Sequence, residues 1–131
     1  MKPRLLVEEV VLHADARGLV YEPVSLDQLA TQRNAHVVLT VPGGIRGNHY
    51  HQRGTEIAVI HGPALVRLRE DQTRRDLQVP AGKALRLVIP PGVAHAFQNT
   101  GNEPMLLVAF NREVFDAAHP DLVREVLIPG P

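Results

Sequence analysis

Residues 47–56 read GNHYHQRGTE. On a strand, residues i and i+2 project from one face, so His49 and His51 point the same way. Their backbones then lie roughly 6.5–7 Å apart, a spacing from which two imidazoles converge on one ion. Gly47 shares that face and has no side chain to obstruct it. QRGT at 52–55 reads as a turn in which Gly54 is free to take positive φ. Glu56 then opens the next strand with Ala58 and Ile60 on its face, so its carboxylate enters the same interior. A His-X-His pair alone fits two hydrogen-bonded surface histidines equally well. The surrounding chain has to decide.

Outward from that stretch, short runs rich in Val, Leu and Ile recur: 36–41, 56–60, 64–69, 85–89 and 105–110. They are separated by turn chemistry: PGG at 42–44, HGP at 61–63, EDQT at 70–73, PAG at 80–82, PPG at 90–92 and NTGNEP at 99–104. Several short strands spaced by turns predict an all-β sandwich or barrel. Helical periodicity is confined to two short segments, 25–31 with Ser25 as N-cap and 121–126. In ALVRLRE (64–70), Ala64, Val66 and Leu68 take the core face; Arg67 and Arg69 take the other, as a solvated surface or as an anion site. The final LIPGP (127–131) reads as a loose tail or an edge contact.

A fourth candidate ligand lies in IPPGVAHAFQN (89–99), where Val93, His95, Phe97 and Asn99 share a strand face. Three histidines and one carboxylate suit a divalent transition metal; we take zinc first, with Ni, Mn, Fe and Co open. Three or four protein ligands leave positions for water or substrate, as catalytic and ligand-binding sites do and sealed structural sites do not. His61 falls on the face opposite Glu56 and reads as a packing histidine. His36 reads as surface or interface, and His13 and His119 as loop residues. None of these four is favoured as a ligand.

The totals narrow the function. The chain has 131 residues, which suits a single domain over 1–131 with one hydrophobic core. Fourteen basic and fourteen acidic residues cancel, which argues against general attraction to nucleic acid or an anionic membrane. Without cysteine, thiolate metal sites, disulfides and cysteine nucleophiles are excluded. No stretch approaches the 18 apolar residues of a membrane span, and Glu8 and Glu9 interrupt any signal-like run at the start. The expected location is the cytoplasm.

Two motifs carry a resemblance. From Gly43, GIRGN leads to His49, Tyr50, His51, QRGT, Glu56, IAVIH and Gly62. This resembles the first motif of the cupin superfamily, G-x5-H-x-H-x3-4-E-x6-G, with the last gap one residue short. From Gly82, KALRLVI leads to Pro90, Pro91, Gly92, VA, His95, AFQ and Asn99, a full match to the second, G-x5-7-P-x-G-x2-H-x3-N. The resemblance implies a double-stranded β-helix (jelly-roll) barrel with metal held by His49, His51, Glu56 and His95. A narrower resemblance rests on RGNHYH (46–51), ALVRLR (64–69), IPPG (89–92), NREVFD (111–116) and HPD (119–121). These stretches are similar to the cupin domain at the C-terminus of bifunctional capsular-polysaccharide reductase/epimerase enzymes, and more distantly to dTDP-4-dehydrorhamnose epimerases and sugar ketoisomerases.

That resemblance implies an epimerase or isomerase of a nucleotide-linked keto-sugar in polysaccharide biosynthesis, working as a homodimer on a small-molecule substrate. GGIRG at 43–47 lacks the G-x-G-x-x-G pattern and its βαβ context, so no reductase is expected. Proton abstraction α to a carbonyl needs a base and an electrophile. The base is not identifiable in the sequence, and Tyr50, by alternation, points away unless the strand is irregular. Arg46 is the candidate for the diphosphate, against a solvent-facing role, and Phe97 for stacking on substrate, against barrel packing. Two alternatives share the ligand set: an iron-dependent dioxygenase-type enzyme and a non-catalytic ligand-binding cupin.

Overall fold

The apolar runs pair because each can bury one or both faces only against another sheet. The structure is a computed structural model and describes residues 2–130. In chain order the strands are β1 (Leu6–Glu9), β2 (His13–Asp15), β3 (Gly18–Val20), β4 (Asn34–Thr40), β5 (Ile45–His51), β6 (Glu56–His61), β7 (Ala64–Glu70), β8 (Thr73–Val79), β9 (Ala84–Ile89), β10 (Ala94–Asn99), β11 (Met105–Asn111) and β12 (Leu122–Arg124). Two five-stranded antiparallel sheets, ordered β1-β9-β6-β11-β4 and β12-β5-β10-β7-β8, face each other; β2 and β3 form a separate hairpin. The main core fills the space between them, with Ile60, Leu87 and Ile89 from one sheet against Val66, Leu68 and Phe97 from the other. This is the expected all-β jelly-roll barrel.

The continuous apolar run of β6 follows from burial on both faces. Ala58 and Ile60 join the main core, while Val59 lies under Val10, Leu12 and Tyr21 of the N-terminal segment. On β7 the alternation holds: Ala64, Val66 and Leu68 are buried. Arg67 pairs with Asp76 across the β7–β8 ladder, and Arg69 pairs with Glu125. Both arginines are thus occupied on the outer face, and the anion-site reading falls.

The helix expected at 25–31 is a single turn, α1 (Leu26–Leu29). Ser25 accepts from the Gln28 amide, and the Gln28 side chain accepts from the Ser25 amide, a reciprocal cap. The helix expected at 121–126 is instead strand β12, because the exposed edge of β5 offers backbone partners from His51 to His49. Leu127 and Ile128 are not a loose tail: they are buried against Ala94 and Ala96 on the outer face of β10. Pro131 lies outside the described residues. Strand β8 was not anticipated, since only Leu77 and Val79 of TRRDLQV turn inward. Among the described residues, no helix is long and apolar enough to cross a membrane.

Candidate metal centre

The site begins with an irregularity in β5. Gly47 and Asn48 both take positive φ, +84° and +57°. Opposite them on β10, His95 pairs with His49 and Ala96 with Gly47, so Asn48 has no partner. This is a β-bulge, and it shifts the phase of alternation. Simple alternation puts Arg46 on the face opposite His49. The bulge brings Arg46, Gly47, His49 and His51 to the wall of one cavity. Tyr50 still points out, packed near Ala94, Ala96 and Leu127 beneath the Arg69 guanidinium.

Two features hold the bulge. A Cβ on Gly47 would lie 2.6 Å from the His95 carbonyl oxygen, so only glycine fits. Asparagine tolerates the left-handed region, and the Asn48 side chain is tied down by three hydrogen bonds. Its Oδ1 accepts from the Leu127 and Ile128 amides, and its Nδ2 donates to the Ile128 carbonyl. The C-terminal segment is thereby tied to the strand that carries both histidines.

The turn at 52–55 reverses the chain as expected, but Gly54 is not among the positive-φ residues. The site is crowded by side chains instead: a Cβ would sit 2.9 Å from both Asp121 Oδ2 and Glu113 Cγ, which would have to shift. Glu56 opens β6 and turns into the barrel. Donor atoms of His49, His51, Glu56 and His95 lie within 4.8 Å of one another. The His51 and His95 rings are stacked at 5.7 Å, and His49 meets His95 edge-on at 4.7 Å. The structure therefore brings together all four ligands expected from the sequence.

Hydrogen bonds assign the tautomers. His95 Nδ1 lies 3.1 Å from the Val93 carbonyl, an acceptor, so Nδ1 carries the proton. His51 Nδ1 lies 3.0 Å from Asp121 Oδ2 and donates likewise. When the rings are neutral, both Nε2 atoms then present lone pairs to the interior. They stand 3.3 Å (His51) and 3.0 Å (His95) from Glu56 Oε2, yet neither makes an aligned hydrogen bond. Two imidazole lone pairs facing a carboxylate repel unless a cation or proton lies between them. Nitrogen and carboxylate donors of this kind fit a divalent transition ion.

The electrostatics agree with that fit. Burial pushes the His49 imidazole down to about 4, aided by neighbouring His95, so it is neutral at ordinary pH. A metal ligand must be deprotonated, and His49 meets that condition. Burial opposes ionisation of Glu56, but the adjacent His51 and His95 outweigh it and hold the carboxyl well below the usual range. Burial likewise opposes charging of His51, and Glu56 and Asp121 outweigh it, so its pKa is raised.

The cluster lies on the wall of an open cavity of about 460 Å³. Val38, Leu107, Ala109 and Phe97 line it with apolar surface, and residues 113–116 and 119–122 line it as well. Arg46 is exposed, as the solvent-facing reading has it, and also lines the cavity, with Nε on Thr40 Oγ1 and Nη2 on the Leu39 carbonyl. Phe97 is almost fully buried in the main core and shows only part of its ring to the cavity. His61 packs against Tyr21, away from the site. His36, read as surface or interface, is exposed on β4 and lines the cavity, as do Glu113, Asp116 and His119. Asp121 escaped the sequence reading because it sits 70 positions from His51, inside a segment expected to be helical.

Residues 13–123 match the family described as polysaccharide biosynthesis C-terminal domain. Over 116 residues the chain is 31% identical to UDP-2-acetamido-2,6-beta-L-arabino-hexul-4-ose reductase of Pseudomonas aeruginosa, covering 86% of this chain and 30% of that protein. It is 28% identical over 125 residues to the spore coat polysaccharide biosynthesis protein SpsL of Bacillus subtilis, covering 88% of this chain and 83% of SpsL. Among solved structures, QdtA, a sugar 3,4-ketoisomerase from Thermoanaerobacterium thermosaccharolyticum in complex with TDP, superposes with a TM-score of 0.69 at 17% identity. That alignment covers 92% of this chain and 88% of QdtA. The chain thus spans less than a third of the length of the Pseudomonas reductase. By its match over residues 13–123 and its barrel, the chain belongs to the polysaccharide biosynthesis C-terminal domain family and has the cupin fold.

Proposed function

We propose that this cupin binds one divalent transition metal through His49, His51, Glu56 and His95, and epimerises or isomerises a nucleotide-linked keto-sugar for polysaccharide assembly. The observation that carries the reading is the convergence of four ligand side chains on the wall of an open, largely apolar cavity. An ion held by His49, His51, Glu56 and His95 would supply Lewis acidity toward a sugar carbonyl. Arg46, already oriented by Thr40 and Leu39, offers a guanidinium fork that matches diphosphate oxygens. Val38, Leu107 and the exposed part of Phe97 pack on the sugar and displace water.

A histidine that ligates the ion cannot also serve as a free base. Besides Arg46, the titratable groups of the cavity wall outside the cluster and the Asp121 pair are His36, Glu113, Asp116 and His119, and proton transfer falls to one of these four. The names of the relatives support the substrate class: one is a UDP-sugar reductase, one a polysaccharide biosynthesis protein, and QdtA is a ketoisomerase in complex with TDP. Among the described residues there is no βαβ unit to hold a dinucleotide, so reduction is not assigned to this domain.

We place the protein in the cytoplasm as a homodimer joined through β4. That seven-residue edge strand carries no Lys, Arg, Asp or Glu, and exposes Val37 and Leu39, with Val41 beyond it. An edge of the other sheet, β8, is blunted by Arg74, Arg75 and Asp76. An uncharged apolar edge is the one that pairs with another chain.

The test of the activity is exchange of solvent deuterium into UDP- and dTDP-linked 4-keto-sugars, followed by NMR. Enzyme-dependent exchange at a carbon next to the carbonyl is expected. Metal binding without exchange across such a panel would reject the epimerase reading in favour of a binding role.

A further inference from the structure

The carboxylate of Asp121 is placed where the cavity strap meets the ligand set. It accepts from the Arg53 amide at 2.7 Å through Oδ1, and from the Gly54 amide at 3.2 Å and His51 Nδ1 at 3.0 Å through Oδ2. The side chain is 13% exposed. Two further bonds secure the same end of the strap: the Gln52 amide donates to the Asp121 carbonyl, and the Arg53 side chain donates through Nη2 to the His119 carbonyl. At the far end, Asn34 Nδ2 donates to the Glu113 carbonyl. Between these anchors, Val114, Phe115 and Asp116 line the cavity, with Phe115 exposed.

We propose that Asp121 is a positioning residue for the metal, resting on the metal-binding reading above: it locks His51 with Nε2 inward and couples the ion to the strap over the substrate cavity. The physical basis is reciprocal. A carboxylate on Nδ1–H fixes the ring tautomer and raises the basicity of Nε2. A cation on Nε2 makes Nδ1–H a stronger donor, which tightens the anchor that closes the strap. Filling the ligand set therefore orders the segment that covers the substrate.

Asp121→Asn tests this with little change in volume. Three N–H donors face the carboxylate, and an amide offers only one acceptor atom. If its NH2 faces His51, the ring must carry its proton on Nε2 and cannot ligate through that atom. If it faces Arg53, two N–H groups collide.

Chelator competition with zinc should show affinity reduced about 10- to 100-fold relative to wild type. Asp116→Asn, on the same strap but bonded to His119 and Ala118, should leave zinc affinity unchanged. Zinc should slow backbone hydrogen exchange at 112–121 in wild type and much less in Asp121→Asn. Equal affinity in wild type and Asp121→Asn, or equal loss in both variants, overturns the positioning role while leaving metal binding intact. Wild type that takes up no metal overturns the metal reading instead. Should Asp121→Asn fail to fold, nitrogen NMR of metal-free wild type in mildly alkaline buffer decides. The proton of His51 is expected on Nδ1, and its location on Nε2 refutes the proposal.

Discussion

Gly47→Ala, compared with Gly82→Ala, isolates the bulge on which the site depends. Both glycines have positive φ, +84° and +78°. Around Gly82 a Cβ meets nothing within 4 Å, so alanine there carries only the left-handed backbone cost, about 1–2 kcal/mol. At Gly47 the same cost applies, and the new methyl also meets the His95 carbonyl at 2.6 Å and Ala96 Cα at 3.2 Å. Both are backbone atoms of the buried strand β10 and cannot swing aside. Forcing them apart adds about 1–3 kcal/mol, the usual range for an overpacked core. A chain of 131 residues loses about 4 °C of Tm per kcal/mol. Gly82→Ala should thus melt about 4–8 °C lower and Gly47→Ala about 8–20 °C lower, read by thermal and urea unfolding of the metal-free proteins. Gly47→Ala should also weaken metal binding, since relief of the clash moves His49 or His95. Equal Tm losses in the two variants would refute the bulge geometry and, with it, the account of why Arg46 and His49 share a cavity.

Three further outcomes are expected. His95→Ala removes a fully buried member of the proposed ligand set and should both weaken metal retention and lower Tm, the metal-linked part vanishing in chelator; unchanged retention would remove His95 from the set. In metal-free protein, His49 has a folded pKa of about 4 against an ordinary 6.5, so below 6.5 the unfolded chain takes up a proton that the folded chain refuses. Its contribution makes stability fall as pH drops from 6.5 toward 4, with Glu56, whose pKa is depressed, adding to the loss at still lower pH; His51, whose pKa is raised, has the opposite sign and loses its contribution as pH rises. Urea midpoints across this range should show the decline, and His49→Asn should flatten it; an unaltered slope contradicts the assignment. Leu39→Lys on the β4 edge should convert a dimer to a monomer in sedimentation, whereas a wild-type monomer at micromolar concentration rules the interface out.

The parts of this molecule that read well from sequence are those set by alternation and short spacing. Ala64, Val66 and Leu68 turn inward because a two-residue period has no other way to bury them. His49, His51 and Glu56 converge because one turn joins their strands, and His95 joins them through the β5–β10 ladder. The missed features are long-range or depend on backbone irregularity. Strand β12 forms because β5 has a free edge, which a local helical pattern cannot reveal. The edge strand β8 hides behind its charges. The bulge had a signal in retrospect, a Gly-Asn pair inside a strand, both residues tolerant of positive φ. Asp121 and His36 had none: their roles arise from register with segments far away in the chain.

The most direct test is elemental analysis of the purified protein before and after reconstitution with zinc, manganese, iron, cobalt and nickel salts, alongside His49→Ala and Glu56→Gln. The account predicts close to one equivalent of a divalent transition metal per chain in wild type and a marked loss in both variants. No retained metal after reconstitution, or full retention in both variants, would contradict it.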